Sequence, residues 1–363
     1  MHLAQPPSGA AGRIAFALLG FSAALGTWSA GIAVGQAASD RGGAIVVFPY
    51  VVVDTTAGTE TTLHLSNGGT EDVAVRCFYE DAPRTCSDAP GQTCASDADC
   101  TNGTCDQGRT IIDFSIELSA GQPFGWRASA GDSVGSAGAG SAPPLGSGPF
   151  IGSLRCLALG VASGSPVDGI LEGAATLARR AGSSTDLDLA RYNALTLASV
   201  TADDDGELML GGDAAEYEGC PGRWIWSHAS DGAVDPNSSS DTVNAHLVPL
   251  PCSADFATLQ TERIIVHYNV FNEFGQRVGT STRLAVQQVA SLPEIHPVLF
   301  DAAVQGSFAT HTSILTVGGG VLAIGFTEHH RNDTEGRVFS AATDLTFNGV
   351  RPTGDRIVLP LLP

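Results

Sequence analysis

"IIDFSIELS", residues 111 to 119, alternates without a break: Ile112, Phe114, Ile116 and Leu118 fall on one side, Asp113, Ser115 and Glu117 on the other. A period of two belongs to an extended strand, whose successive side chains point to opposite faces of a sheet, so the stretch reads as a half-buried β-strand. The same period continues on both sides of it. In "VAVRCFYE" (73 to 80), Val73, Val75, Cys77 and Tyr79 share a face, and Cys77 is expected to point inward. "TTLHLSN" precedes it across the turn residues "GGTED", which predicts a hairpin over 61 to 80. "AIVVFPYVVVD" (44 to 54) is more continuously apolar and is broken by Pro49, a residue without a ladder donor that marks an edge or a bulge. "GSLRCLAL", "ILEGAATLA", "YNALTLASV", "GELMLGG" and "RWIWSHAS" are further strand candidates, and helical periodicity is almost absent.

The fold class expected is therefore all-β. With 363 residues, 43% of them hydrophobic and 15% charged, the chain has enough apolar surface to bury a core, and its length suits roughly two domains. The polar run "DGAVDPNSSSDTVN" (231 to 244) is the best linker, and "SAGDSVGSAGAGSAPPLGSGP" (129 to 149) reads as a surface loop. We expect two β-sandwich domains of immunoglobulin-like or related type, at 39 to 235 and 245 to 363. Aligning His64 with His267 sets "TTLHLSN" against "IIVHYNV", the faint internal repeat that tandem sandwiches would leave.

The formal charge is -20, from 38 acids against 18 bases, and every base is arginine. Without lysine there is no P-loop and no Schiff-base chemistry, and so acidic a surface repels phosphate backbones and anionic membranes. Nucleic acid is thus excluded as a partner, and no cofactor or metal is expected. Before the first acid, Asp40, stand Arg13, the apolar run "IAFALLGFSAAL" (14 to 25) and a small-residue tail with cleavage points after Ala33 or Ala37. This is the layout of an export signal, assigned to 1 to 38, and no later segment is apolar for long enough to cross a membrane.

Export implies an oxidising setting, where eight cysteines read as four disulfides. Cys86, Cys94, Cys100 and Cys105 are spaced C-x7-C-x5-C-x4-C, too wide at the first gap for zinc and with no histidine nearby. The polar loop 86 to 108 cannot build an apolar core, so these four are expected to pair among themselves as staples. Cys77 then pairs with Cys156 on strands of the first domain, and Cys220 with Cys252 across the linker.

Other constellations are weaker. Asp97, Asp99 and Asn102 alternate like calcium ligands, yet Asn102 occupies the glycine position of an EF-hand loop. "GDSVG" (131 to 135) has the G-x-S-x-G of a nucleophile elbow, but a glycine and serine tract follows Ser133 where a helix is needed. Glu328, His329 and His330, with Asp333 and Glu335, read as a solvated turn, since neighbouring histidines on a strand face opposite ways. "TADDDGE" (201 to 207) reads as a charged turn. His64 and His267 stand on polar strand faces. The pairs Trp224 with Trp226 and Phe124 with Trp126 suit either a sugar platform or a β core. Asn102, Asn237 and Asn332 begin N-x-[ST] sites.

"CASDADCTNGTC" (94 to 105) resembles the small cysteine and aspartate inserts of large secreted bacterial proteins. The strand order of 44 to 127 resembles that of uncharacterised secreted bacterial proteins with immunoglobulin-like sandwiches. The resemblance implies an exported surface or envelope protein and no particular ligand. The function expected is that of a secreted structural, adhesive or partner-binding protein without catalytic activity, with a protein or glycan partner. The alternative is a secreted carbohydrate-binding or hydrolytic protein.

Overall fold

The computed structural model describes residues 37 to 360 except 82–83, 87–88, 94–99, 104, 108–109, 135–140, 162–166, 168–169, 181–184, 202–204, 239, 261–263, 335, 348, 350 and 352. The described residues are all-β, 58% strand and 3% helix, and five small sheets are arranged as the blades of a propeller. The first blade runs β12 (Leu195–Leu197), β1 (Ile45–Val53), β9 (Phe150–Gly160), β3 (Val73–Asp81) and β7 (Thr110–Leu118). The second runs β11 (Leu187–Asn193), β10 (Leu171–Arg180), β2 (Glu60–Asn67) and β8 (Pro123–Arg127). The third is short: β13 (Glu207–Leu210), β25 (Asp355–Val358) and β17 (Ala254–Asp255). The fourth runs β19 (Arg277–Leu284), β18 (Ile264–Asn272), β21 (Ala309–Val317), β14 (Arg223–Ala229) and β24 (Thr346–Phe347). The fifth runs β15 (Ala233–Val234), β16 (Thr242–Pro251), β22 (Val321–His330) and β23 (Val338–Asp344), with β20 (Ala290–Ser291) also on β16. A small sheet of β5 (Ala89–Thr93), β4 (Arg84–Cys86) and β6 (Cys105–Gln107) carries the cysteine loop. Two one-turn helices, α1 (Leu292–Ile295) and α2 (Ala302–Gln305), complete the elements. No described helix is long and apolar enough to cross a membrane.

This overturns the expectation of two β-sandwich domains, immunoglobulin-like or otherwise. The described residues belong to one compact unit, and the reason lies in the first blade, whose central strands are buried on both faces. Val46, Phe48, Val75, Cys77 and Tyr79 face a core shared with Leu63, Leu65 and Trp126 of the second blade. Val47, Phe78 and Leu157 face the other way, into a core shared with Leu247, Leu250, Phe256 and Trp224. The seam is also polar: Arg155 donates to the carbonyls of Pro251 (2.5 Å) and Cys252 (3.4 Å). Gln287 Nε2 donates to those of Pro49 and Gly152. The expected linker is itself structure, since Ala233 pairs with Val243 and closes a hairpin.

The expected hairpin over 61 to 80 fails for a local reason. β2 and β3 lie in different blades, and buried Asn67 makes the corner between them. Its Nδ2 donates to the carbonyls of Glu71, Leu118 and Ser119, and its Oδ1 accepts from Gly69 N. One side chain thus satisfies the backbone of the corner, while β2 pairs with β10 and β8 and β3 with β7 and β9, leaving neither an edge for the other. By contrast β18 and β19 do form a hairpin, in register from Ile264 with Leu284 to Phe271 with Arg277, so the suggested repeat diverges at its second strand. Pro49 lies within the register shift of β1 against β9, between Phe48 and Val51, where the apolar run called for a bulge.

Three disulfides are described. Cys77 joins Cys156, directly opposite on β3 and β9, and Cys220 joins Cys252, both pairs as the strand reading expects. Within the loop Cys86 joins Cys100. Cys94 lies outside the described residues, and of Cys105 only its place on β6 is described.

Candidate functional site: a groove on the second blade

Leu63 and Leu65 of β2 are buried in the core, so the alternation of the strand turns Thr62, His64 and Ser66 outward. Register then lines up neighbours across four strands. Asn193, Ala174, His64 and Gly125 form one row. Arg191, Thr176, Thr62 and Arg127 form the next, and Glu172, Ser66 and Pro123 lie on the opposite side. Ala174 and Gly125 are the smallest residues available, so the central row is a trough with His64 in it. A Cβ on Gly125 would stand 2.9 Å from the His64 Nδ1 atom.

The trough is the floor of a groove of about 670 Å3. Asp40 and Arg41, in the segment leading into β1, form one wall. That wall is fixed: the Thr196 hydroxyl donates to the carbonyls of Ala38 and Arg41, and the Arg41 guanidinium pairs with Glu218. Val134 lies against the other side, its amide 2.6 Å from the Gly125 carbonyl oxygen.

Among the described residues, Glu172 and Asn193 have no side-chain hydrogen bond and Arg191 has no ion pair. Burial against the floor, and then the charge of Arg191, hold the His64 pKa below its ordinary 6.5. A neutral imidazole offers one donor and one acceptor. With a guanidinium, a carboxylate and an amide beside it, the groove can hydrogen-bond a polar ligand of either sign; Phe124 also borders it, but at 1% exposure its ring belongs to the core and offers a sugar no stacking face.

A second cavity, of about 280 Å3, lies where β10 and β11 meet β22 and β23. Arg179 bridges Asp188 (2.9 Å) and Glu328 (2.6 Å) and donates to the Ser340 hydroxyl. The other Glu328 oxygen lies 3.2 Å from His246 Nε2 and 3.1 Å from His330 Nε2. Burial would raise the pKa of Glu328, but His246 and Arg179 outweigh it and hold the carboxyl at about 2. Every charge here has its partner, so the cluster reads as a bolt between blades.

The turn expected at Glu328, His329 and His330 is instead the end of β22, paired on both sides. The two imidazoles do diverge, His330 to Glu328 and His329 to Asp235 at 2.8 Å. Asp333 pairs with Arg337, and Glu335 lies outside the described residues. Trp224, Trp226, Phe124 and Trp126 are at most 1% exposed, so both pairs are core and neither is a sugar platform. Ser133 is exposed and bridged to Trp126, and Asp132 beside it pairs with Arg127; residues 135–140, where the elbow would need its helix, lie outside the described residues. Asn102, Asn237 and Asn332 are exposed, whereas Asp97 and Asp99 lie outside the described residues. Of "TADDDGE", residues 202–204 lie outside them too, and Asp205 accepts from Glu207 N. Cys220, Cys252 and Asp355 have the proximity of a metal set, but their sulfurs are joined to each other and offer no thiolate.

Of the groove residues only His64 stood out in the sequence. Glu172, Arg191 and Asn193 lie on the successive strands β10 and β11, and it is the register of β10 against β2, far earlier in the chain, that sets them beside His64. Comparison with family models, with curated proteins and with solved structures returns no match.

Proposed function

We propose that the chain acts outside the cytoplasm as a non-catalytic binding or adhesive protein, and that the groove on the second blade receives a polar partner. The observation that carries this reading is the set of polar side chains, Glu172, Arg191 and Asn193, left without hydrogen-bond or ion-pair partners among the described residues on a hydrogen-bonded four-stranded floor. A folded chain gains by pairing such groups, as the seam cluster around Glu328 does, so their unpaired state suits recognition of something external. Export is supported by the leader-like first 38 residues and by the disulfides. The test is binding of the secreted chain to peptide and glycan arrays, with Arg191→Ala and Glu172→Ala as comparators. Loss of a wild-type signal in both variants supports the reading, and binding unaffected by either overturns it.

One observation favours a hydrolase as second reading: Asp40 and Glu172 line the same groove. A glycosidase needs one of its two acids held protonated by apolar surroundings. Both side chains here are exposed, which places binding first. Hydrolysis of a bound glycan that Glu172→Gln abolishes would reverse that order.

A further inference from the structure

The fourth blade differs in charge from the rest of the molecule. Its five strands contain no aspartate or glutamate, in a chain that has 38. They do contain Arg223, Arg277 and Arg283, and the outward positions of β18 and β21 add His267 and His311.

Among the described residues the arginines of this face also have no carboxylate partner. Elsewhere most described arginines pair with carboxylates, as Arg76 does with Asp113 and Arg337 with Asp333, Arg180 and Arg191 being exceptions. Arg223 donates to the Ser313 hydroxyl at 2.7 Å, and Arg277 to the Asn269 amide oxygen at 2.5 Å, both neutral acceptors. Arg283 has no partner among the described residues. Charge on the edge strand β19 discourages pairing with another sheet edge, which accounts for Arg277 and Arg283. It does not account for Arg223 on the interior strand β14, nor for the missing acids. Arg283 keeps its full bidentate capacity for a carboxylate, and Arg223 and Arg277 keep the guanidinium N–H groups that Ser313 and Asn269 do not take.

Shape narrows the class of partner. Arg277 and Arg283 stand at opposite ends of β19, about 20 Å apart at the strand rise, and Arg223 lies three strands away, about 14 Å across the sheet. No small anion reaches all three from a flat surface, whereas a chain with repeated carboxylates does. Between the charges stand Ser227, Asn269 and Ser281, partners for hydroxyl groups, and exposed Ile265, Leu315 and Val317, which suit the apolar edges of sugar rings.

We propose that the outer face of the fourth blade docks a carboxylate-bearing polysaccharide, on a surface separate from the groove. The test is calorimetric titration of the secreted chain with polygalacturonate, with dextran as neutral control and polyglutamate as the peptide counterpart. Saturable binding of polygalacturonate is expected, absent with dextran and falling as salt screens the charges. The triple variant R223Q, R277Q, R283Q should weaken it by about tenfold or more at unchanged circular dichroism, the loss of three charge-assisted contacts. Arg283→Gln, which removes no internal bond, gives a partial loss and serves if the triple variant does not fold. Arg191→Gln in the groove should leave binding unchanged. No binding, a preference for polyglutamate, equal binding by the triple variant, or loss in Arg191→Gln would each overturn the proposal.

Discussion

Phe78 and Phe256 stack with ring centroids 4.3 Å apart and planes within 6° of parallel. The contact joins β3 of the first blade to the segment just after β17 of the third, and Arg155 reaches over the Phe256 ring at 5.8 Å. It lies in the core that prevents the two halves of the chain from being separate domains.

Removing that ring should therefore be felt by the whole molecule. Phe78→Ala is expected to cost about 3–5 kcal/mol, as truncation of a buried phenylalanine does. Urea unfolding followed by tryptophan fluorescence and by far-ultraviolet circular dichroism should remain one transition at a lower midpoint. Two separated transitions would mean that the halves fold independently.

Close packing elsewhere in the same core makes a second prediction. A Cβ at Gly325 would come within 2.5 Å of the Trp226 ring, on the inner side of β22. Gly325→Ala should destabilise by about 1–3 kcal/mol through overpacking. The displaced indole should shift its emission. An unchanged midpoint and spectrum would show that the ring has room to move.

Strand character, the Pro49 bulge and the inward Cys77 were legible from alternation, because each depends on neighbours within a few residues; the two long-range disulfides followed by elimination, once the four loop cysteines were paired among themselves. The arrangement of strands was not. "VAVRCFYE" shows one apolar face, but Phe78 makes the other face equally buried, and a single interleaved aromatic looks the same whether it meets solvent or a second core. Asn67 reads as an ordinary turn residue, and only its three carbonyl partners reveal a corner between blades. The groove was least legible, because Glu172, Arg191 and Asn193, on the successive strands β10 and β11, meet His64 only through the pairing of β10 with β2, far earlier in the chain.

The disulfides give a third prediction. Cys220 and Cys252 are 32 residues apart, and closing such a loop stabilises by about 4 kcal/mol in the chain-entropy picture. Peptide mapping of the secreted chain without reduction should recover Cys77 with Cys156 and Cys220 with Cys252. The double variant C220S, C252S should unfold at a lower urea concentration by a matching free energy. Recovery of free thiols at these positions would remove the main structural support for export.

The seam cluster predicts a dependence on pH. The folded pKa of Glu328, about 2, lies below its ordinary 4.5, so the unfolded chain takes up the proton more readily than the native one. Its contribution is then complete above about pH 4.5 and disappears as pH falls toward 2. Glu328→Gln should be less stable than the wild type at neutral pH, and the two unfolding curves should converge near pH 2. A constant gap across that range would assign the effect to packing instead of charge.

His64 reports on the groove in the same manner, with the proton on a base. Burial first, and Arg191 second, hold its pKa below 6.5, so the native state resists protonation and stability falls as pH drops through the folded value. Titration followed by nuclear magnetic resonance should place the His64 midpoint below 6.5. Arg191→Gln should move it upward without restoring it fully, because burial is the larger cause. A partner bound in the groove through a neutral imidazole would push the midpoint lower still, and its affinity would weaken on acidification. One that accepts a hydrogen bond from both ring nitrogens would raise the midpoint, so the direction of the shift identifies which face of the ligand His64 meets.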